Sequence, residues 1–488
     1  MSDQMARHHS LRVYVAAAAG VAATAAVLWL LALGLLPLGL AGEWAWPWRT
    51  FPIPLSAGVI VTVLAMLLAA TVVLDAARGP RVRRGPVYVA LPVLVIAGSQ
   101  LPLQLLGAET GGWQRAIVAT CSDPTTGYLT QAVHITDLRA WLRDLRQRTD
   151  MTVTPSRVAT HPPGPVLFFR WWIGLVREHP SLQRVAGALY SPEWGAKSQV
   201  LRTARRVCTA PITGYHMDAA LLSVYLLALA VPFVVMGVLV LARAQVGGRV
   251  ALTATVLASA VPALHVFVPS IDPWAAALAV WSLAFWALAL RRDSVLWALL
   301  AGLVWGAGLQ WTYGLAALAV FLVLDAARCR PRKLAALAGA LAGGLMLAHL
   351  PLMALGYNPA ASFVASMATQ RQIMQDRSYL PWVGLNAWDL ALFAGPALIA
   401  LASVAVGQDE RPTLLPVVVT LAILLLAGST RGEVGRIWGF LMPLAAVPAG
   451  HVLCRTRESL FLLAGGLVLG AQIAMVAGLS SRLLLVSY

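Results

Sequence analysis

The sequence predicts an all-α polytopic membrane protein of about thirteen transmembrane helices, with one large extracytoplasmic loop carrying amphipathic and re-entrant helices. Two observations predict it. Of 488 residues, 59% are hydrophobic and only 11% charged, against roughly 25% charged in soluble domains, and the apolar residues fall in blocks about 20 long, the length that crosses a hydrocarbon core. The polar residues, in turn, gather in short basic connections and in one long stretch, 107–215. Eighteen Trp residues and a mean hydropathy of +0.76 fit spans anchored at the interfaces in a lipid bilayer. The net charge of +16 is largely a matter of orientation, so no nucleic-acid partner is expected.

Residues 1–12 carry Arg7, His8, His9 and Arg12 ahead of an apolar stretch of about 28 residues, too long for the core of a cleaved signal peptide. This reads as a retained first span with a cytoplasmic N-terminus. Spans are expected near 13–40, 54–75, 87–106, 216–242, 250–268, 274–290, 295–309, 315–327, 334–355, 385–405, 413–428, 437–453 and 460–480. Three units follow: a three-span segment 1–106, the loop region 107–215 with interfacial helices, and a ten-span bundle 216–488. The connections 75–84, 243–249, 291–292, 328–333 and 455–457 are basic and fall on one side under strict alternation, which makes that side the cytoplasm. The stretch 295–327 is too long for one span and is broken by Gln310-Trp311-Thr312-Tyr313-Gly314, so it is divided into two short helices.

The loop holds 13 Lys and Arg against 7 Asp and Glu, a bias that long translocated loops tolerate. Cys121 and Cys208 both lie in it, while Cys329 and Cys454 lie in cytoplasmic connections, so the outer pair is either a disulfide or two thiols. Residues 137–148 read as one amphipathic helix, with Leu138, Trp141, Leu142 and Leu145 on one face, Thr136 as its cap and an Asp144–Arg148 pair. It suits a membrane surface or the loop's own core. Thr160-His161-Pro162-Pro163-Gly164-Pro165 forms a rigid entry into the apolar run 166–176, too short to span a bilayer and therefore re-entrant or interfacial. That entry would hold His161 in place, for a structural hydrogen bond or for substrate. Asp123 precedes a helix expected from about Tyr128 and is a natural cap for it. Asp272, at an outer span end, is either a cap or a functional acid. Glu433 and Arg436, three apart, form either a salt bridge or a unit in which the acid orients the arginine toward a lipid phosphate. No metal-spaced Cys or His cluster, Gly-rich phosphate loop or Gly-x-Ser-x-Gly elbow is present.

Across its whole length this arrangement resembles the C-type (GT-C) glycosyltransferases. The residues that carry the resemblance are Asp123…Gly127-Tyr128, Thr160-His161-Pro162-Pro163-Gly164-Pro165, Tyr379-Leu380-Pro381-Trp382 and Gly432-Glu433-Val434-Gly435-Arg436-Ile437-Trp438. The resemblance implies transfer of a sugar from a polyprenyl-phosphate donor to an extracytoplasmic glycan, lipid or protein acceptor, with Asp123 as general base and Tyr128 and His161 beside the substrate. Arg371, Arg377, Arg431 and Arg436, on outer loops, are available for the leaving phosphate. Three spans precede the acidic loop where the family usually has one, and Asp123 has no adjacent acidic partner, which leaves a divalent cation open. The alternatives are a transporter or flippase for a lipid-linked or polar substrate, and a non-catalytic envelope-assembly subunit. The Arg- and Ala-rich composition fits a GC-rich bacterial genome, hence a bacterial cytoplasmic membrane.

Overall fold

The computed structural model describes residues 3–48, 112–152, 154–190, 197–329, 332–406 and 414–483. The spans expected at 54–75 and 87–106 lie outside them. Helices dominate, and the described residues add only a two-stranded antiparallel hairpin, Gly39–Leu40 with Trp44–Ala45. Five helices are long and apolar enough to cross a membrane: His8–Leu33, Gly214–Gln245, Asp272–Arg292, Leu334–Ala354 and Leu460–Arg482. The chain is a multi-pass membrane protein. Along Leu334–Ala354, Met346, Leu347 and Leu350 are about half exposed, a pattern that suits lipid rather than water as the neighbour.

A sixth span, where 385–405 was expected, is a broken pair, Tyr379–Ala394 and Pro396–Ser403, bent by 99°. Gly395 at the break has φ +92°, and the bend there carries the next turn away, so the Ala394 carbonyl loses its helical partner. Gln472 replaces that partner, its Nε2 donating to Ala394 O at 2.8 Å. Irregular backbone at this depth survives only when protein satisfies it in this way.

Two other expected spans are not continuous helices. The segment 250–268 divides into Gly248–Ser259 and Pro262–Val266, because Pro262 interrupts the ladder and His265 Nε2 bonds the freed Ser259 carbonyl at 2.6 Å. The segment 437–453 becomes Val434–Ile437, a 3₁₀ turn at Met442–Ala445 containing Pro443, and Ala446–Cys454. Both lie deep in the principal apolar core, where Gly450 packs against the Ala254 backbone. The shorter apolar helices Val295–Leu309 and Leu415–Ala427 fall where spans were expected. The break expected within 295–327 is present, since Val295–Leu309 gives way to a 3₁₀ turn, Tyr313–Ala317, and then to Leu318–Cys329.

Small residues let Val295–Leu309 and Leu334–Ala354 touch backbone to backbone. A Cβ on Gly302 would stand 1.9 Å from the Leu341 carbonyl oxygen, and one on Gly344 would stand 2.1 Å from that of Leu299. Such contacts supply the dispersion energy that apolar burial cannot supply within lipid. Gly344→Val is therefore expected to separate the pair and cost at least about 1–3 kcal/mol, the usual range for overpacking. Thermal unfolding of purified protein in detergent measures it, and an unchanged midpoint would refute the tight packing.

The loop region has its own apolar core, with Ile117, Leu129, Trp141, Phe169 and Val176 packed on the first turns of Gly214–Ala228. The single amphipathic helix expected over 137–148 is two helices, Leu138–Arg143 and Leu145–Thr149. Asp137, not Thr136, caps the first, taking the Arg139 and Ala140 amides at 2.9 and 3.1 Å. Asp144 caps the second through Gln147 N at 2.9 Å, so it ends one helix and starts another. Arg148, its expected partner, is buried instead, donating to Ser362 Oγ at 3.0 Å and lying over the Trp141 and Tyr357 rings. The run 166–176 sits within a helix, Gly164–Glu178. Its Gly164 N–H donates to Gln310 O at 2.8 Å, and a Cβ there would stand 2.1 Å from that oxygen. The Pro-rich entry thus needs its glycine in order to dock on the polar break at 310–314.

Candidate active site

Four distant segments meet in one buried charged cluster. Tyr128 comes from the first turn of Tyr128–His134, Arg157 and His161 from the turn before Gly164–Glu178, Asp272 from the start of Asp272–Arg292, and Glu433 and Arg436 from the turn at Val434–Ile437. Arg157 Nη1 lies 2.5 Å from Glu433 Oε2, and Arg436 Nε lies 2.9 Å from Asp272 Oδ2. The Glu433–Arg436 salt bridge expected on one helical face is replaced by two longer-range pairs.

Backbone geometry explains the exchange. Gly432 and Glu433 both have positive φ, +97° and +61°, so Glu433 sits outside the helical turn as its left-handed N-cap. A non-glycine residue in that region costs on the order of 1 kcal/mol and persists only when neighbours hold it. The broken helix holds it here: Asn386 Oδ1 accepts Gly432 N–H at 3.0 Å, Asn386 Nδ2 donates to Thr430 O at 2.7 Å, and Asp389 Oδ2 accepts Gly435 N–H at 3.3 Å. Trp46, just after the hairpin, donates to both oxygens of Asp389 at 2.9 and 3.1 Å. Glu43 accepts Ser378 N–H at 2.8 Å, Ser378 Oγ–H at 2.6 Å and Trp382 Nε1–H at 2.6 Å. These bonds, the Ser378 hydroxyl first, hold its carboxyl below the usual range.

Arg377 and Arg431 cross-brace the rim, each guanidinium donating to the other's carbonyl. Arg377 lies over the Trp44 ring and near enough to Glu433 to act on its charge. Burial pushes the Glu433 carboxyl up, but Arg157 and Arg436 more than reverse this and leave it below its ordinary value. For Arg436 burial lowers the pKa, and Asp272 and Glu433 outweigh burial, so its charge is secure. Three guanidiniums, of Arg157, Arg377 and Arg436, act on the carboxylates of Glu433 and Asp272, and Glu43 stands near enough to Arg377 to offset part of its charge.

Tyr128 sits among these charges, 1% exposed, with a hydroxyl that meets no hydrogen-bond partner among the described residues. Burial chiefly raises its pKa, so it stays a neutral donor. A buried hydroxyl left without a partner is costly, which points to a group that it serves. His161 meets the Tyr128 ring edge-on at 5.7 Å, and its Nδ1–H donates to Arg157 O at 2.7 Å. Burial, and then the charge of Arg436, lower its pKa from 6.5 to about 4. Because the folded value lies below the ordinary one, the unfolded chain takes the proton first, and the stability this neutral ring contributes, present above about pH 6.5, is lost as pH falls toward 4. His161→Gln should thus flatten the melting temperature of the protein between pH 4 and 6.5, and a curve parallel to wild type would contradict the buried neutral ring.

The remaining expected site residues lie elsewhere. Asp123 does not cap the helix at Tyr128, whose N-cap, Gly127, has φ +66° and no side-chain bond. One Asp123 oxygen accepts the Thr130 hydroxyl, and the other accepts Thr209 N–H at 2.9 Å and Thr209 Oγ–H at 2.7 Å. With both oxygens committed, this carboxylate ties the two ends of the loop together, a poor position from which to accept a substrate proton. Cys121 and Cys208 are both free thiols, and Cys208 Sγ lies 3.1 Å from Thr130 Oγ1, so of the two states left open the structure has the unbridged one. Arg371 is exposed on Pro359–Met374. Sequence reasoning missed Arg157, Glu43, Asn386 and Asp389. The only signal for Arg157 was its place just ahead of His161-Pro162-Pro163-Gly164. Among the described residues no three His, Cys, Asp or Glu stand together as metal ligands.

Compared with protein-family models and with curated protein sequences, the chain matches none.

Proposed function

We propose that the protein is a membrane glycosyltransferase that moves a sugar from a polyprenyl-phosphate donor to an acceptor hydroxyl at this charged cluster. The observation that carries the reading is the gathering of three arginines around a buried hydroxyl that no described residue bonds, within helices whose apolar faces suit a lipid chain. Three arginines gathered beside a neutral hydroxyl donor suit an anion that carries several oxygens. A lipid phosphate supplies that anion, and arginine's planar fork matches its oxygens.

In the transfer, the acceptor oxygen attacks the anomeric carbon, the bond from that carbon to the phosphate oxygen breaks, and polyprenyl phosphate departs with the electron pair. Arg157, Arg377 and Arg436 stabilise the charge that develops on the phosphate. A carboxylate must take the acceptor's proton, and Asp272 suits this role better than Asp123. Its Oδ2 accepts the Ser270 hydroxyl at 2.7 Å and forms an ion pair with Arg436, while no described residue hydrogen-bonds its Oδ1. Glu433, clamped by Arg157, aligns the arginines instead. Nothing in the geometry favours transport or a purely architectural role over this reading.

Affinity for the lipid product tests the proposal. Purified protein in nanodiscs should retain a polyprenyl phosphate over the uncharged polyprenol in native mass spectrometry, and Arg436→Gln should abolish the preference. Equal retention of the two lipids by wild type would argue against a phosphate site.

A further inference from the structure

A second group of cations lies within the loop region and shares no residue with the charged cluster. Arg170 and Arg177, seven apart on one face of Gly164–Glu178, line a cavity of about 470 Å³. The cavity is also lined by the apolar side chains of Val133 and Ile135 and by Ile173, which stands between the two arginines on the same helix. The Arg170 guanidinium is steadied by a bond to Ile135 O. Arg177 is more than half exposed, and among the described residues its ion pair is with its neighbour Glu178, at 3.6 Å, a pairing too exposed to neutralise it.

His216 contributes a third donor. Its Nδ1 accepts the Thr213 backbone N–H at 2.9 Å and the Thr213 hydroxyl at 3.0 Å. A backbone amide only donates, so Nδ1 carries no proton, and the proton of the neutral ring resides on Nε2. The capping box at the start of Gly214–Ala228 thus fixes the imidazole as a donor in the cavity wall. Among the described residues, no carboxylate lines this cavity. Two guanidiniums and an imidazole N–H around one space that apolar side chains also line form a site for an anion attached to something greasy.

We propose that this cavity binds a phosphate group, as a lipid headgroup or as the free anion, with any acyl or prenyl portion lying along Val133, Ile135 and Ile173. The inference does not depend on the transferase reading, because none of its residues belongs to the charged cluster. The full chain, in phosphatidylcholine nanodiscs, is titrated with inorganic phosphate while its melting temperature is followed. In parallel, nanodiscs containing phosphatidylglycerol are examined by native mass spectrometry for lipid that stays with the protein. Arg177→Gln is compared with Arg184→Gln, which removes an exposed arginine from the neighbouring helix Pro180–Leu189 and does not line the cavity. Losing one charge-assisted contact should weaken binding about tenfold in Arg177→Gln and leave Arg184→Gln unchanged. A saturable response to inorganic phosphate with that pattern identifies the free anion as ligand, and retained phosphatidylglycerol without it identifies the headgroup. Saturable binding of neither probe, or equal weakening by both substitutions, overturns the proposal.

Discussion

Asp272→Asn is expected to lower sugar transfer by about 10²–10⁴-fold, the range that a positioned general base contributes, while the folded protein keeps its affinity for polyprenyl phosphate. The substitution preserves shape and leaves an oxygen to receive the Ser270 hydroxyl; it removes the charge opposite Arg436 and so lowers stability, and its amide cannot take the acceptor's proton. The same change at Asp123 should act differently. Its carboxylate receives Thr130 and both donors of Thr209, so Asp123→Asn should reduce the yield of folded protein and spare the turnover of the fraction that folds. Turnover by the folded fraction of each variant, with melting temperatures alongside, separates the two roles. If Asp123→Asn removes turnover without loss of stability and Asp272→Asn does neither, the base belongs at Asp123.

Arg157→Met is expected to destabilise the fold by about 3 kcal/mol or more, because breaking a buried pair strands the remaining charge. Glu433 has side-chain exposure of only 12% and loses a partner 2.5 Å away. It also sits in a left-handed backbone conformation that its neighbours must hold. The double variant Arg157→Met with Glu433→Met should recover much of that loss, since apolar replacement of a whole buried pair is often neutral. Turnover should nonetheless stay low in both, because each removes an arginine from the phosphate site. A denaturant-unfolding double-mutant cycle gives the coupling energy, and additive single effects would show that the pair is not coupled.

The sequence revealed the class of this fold better than its continuity. Blocks of apolar residues mark where the chain lies in lipid, yet hydropathy counts side chains and does not see hydrogen bonds. Pro262, Pro443 and Gly395-Pro396 therefore break segments whose composition reads as unbroken. The polar break at 310–314 was legible because five residues there lose apolarity together. Site residues were legible where a motif concentrates unusual chemistry: Tyr128, His161, Asp272, Glu433 and Arg436 do converge. Their pairing was hidden, since the three-residue spacing of Glu433 and Arg436 suggests a helical pair until the positive φ of Glu433 turns it toward Arg157. Arg157 and Glu43 carried no local pattern, because what makes each of them matter lies at least 270 residues away, at Glu433 and at Ser378 and Trp382.

The most direct test of the central claim is transfer itself. Purified protein in lipid is given a panel of radiolabelled polyprenyl-phosphate sugars with a mixture of glycan, lipid and protein acceptors, beside Asp272→Asn. The account predicts labelled product from at least one donor, and its loss in the folded fraction of the variant. Folded wild-type protein that transfers sugar from no donor, yet moves a polyprenyl-phosphate lipid across the bilayer of sealed vesicles, would contradict it and make the charged cluster part of a transport path.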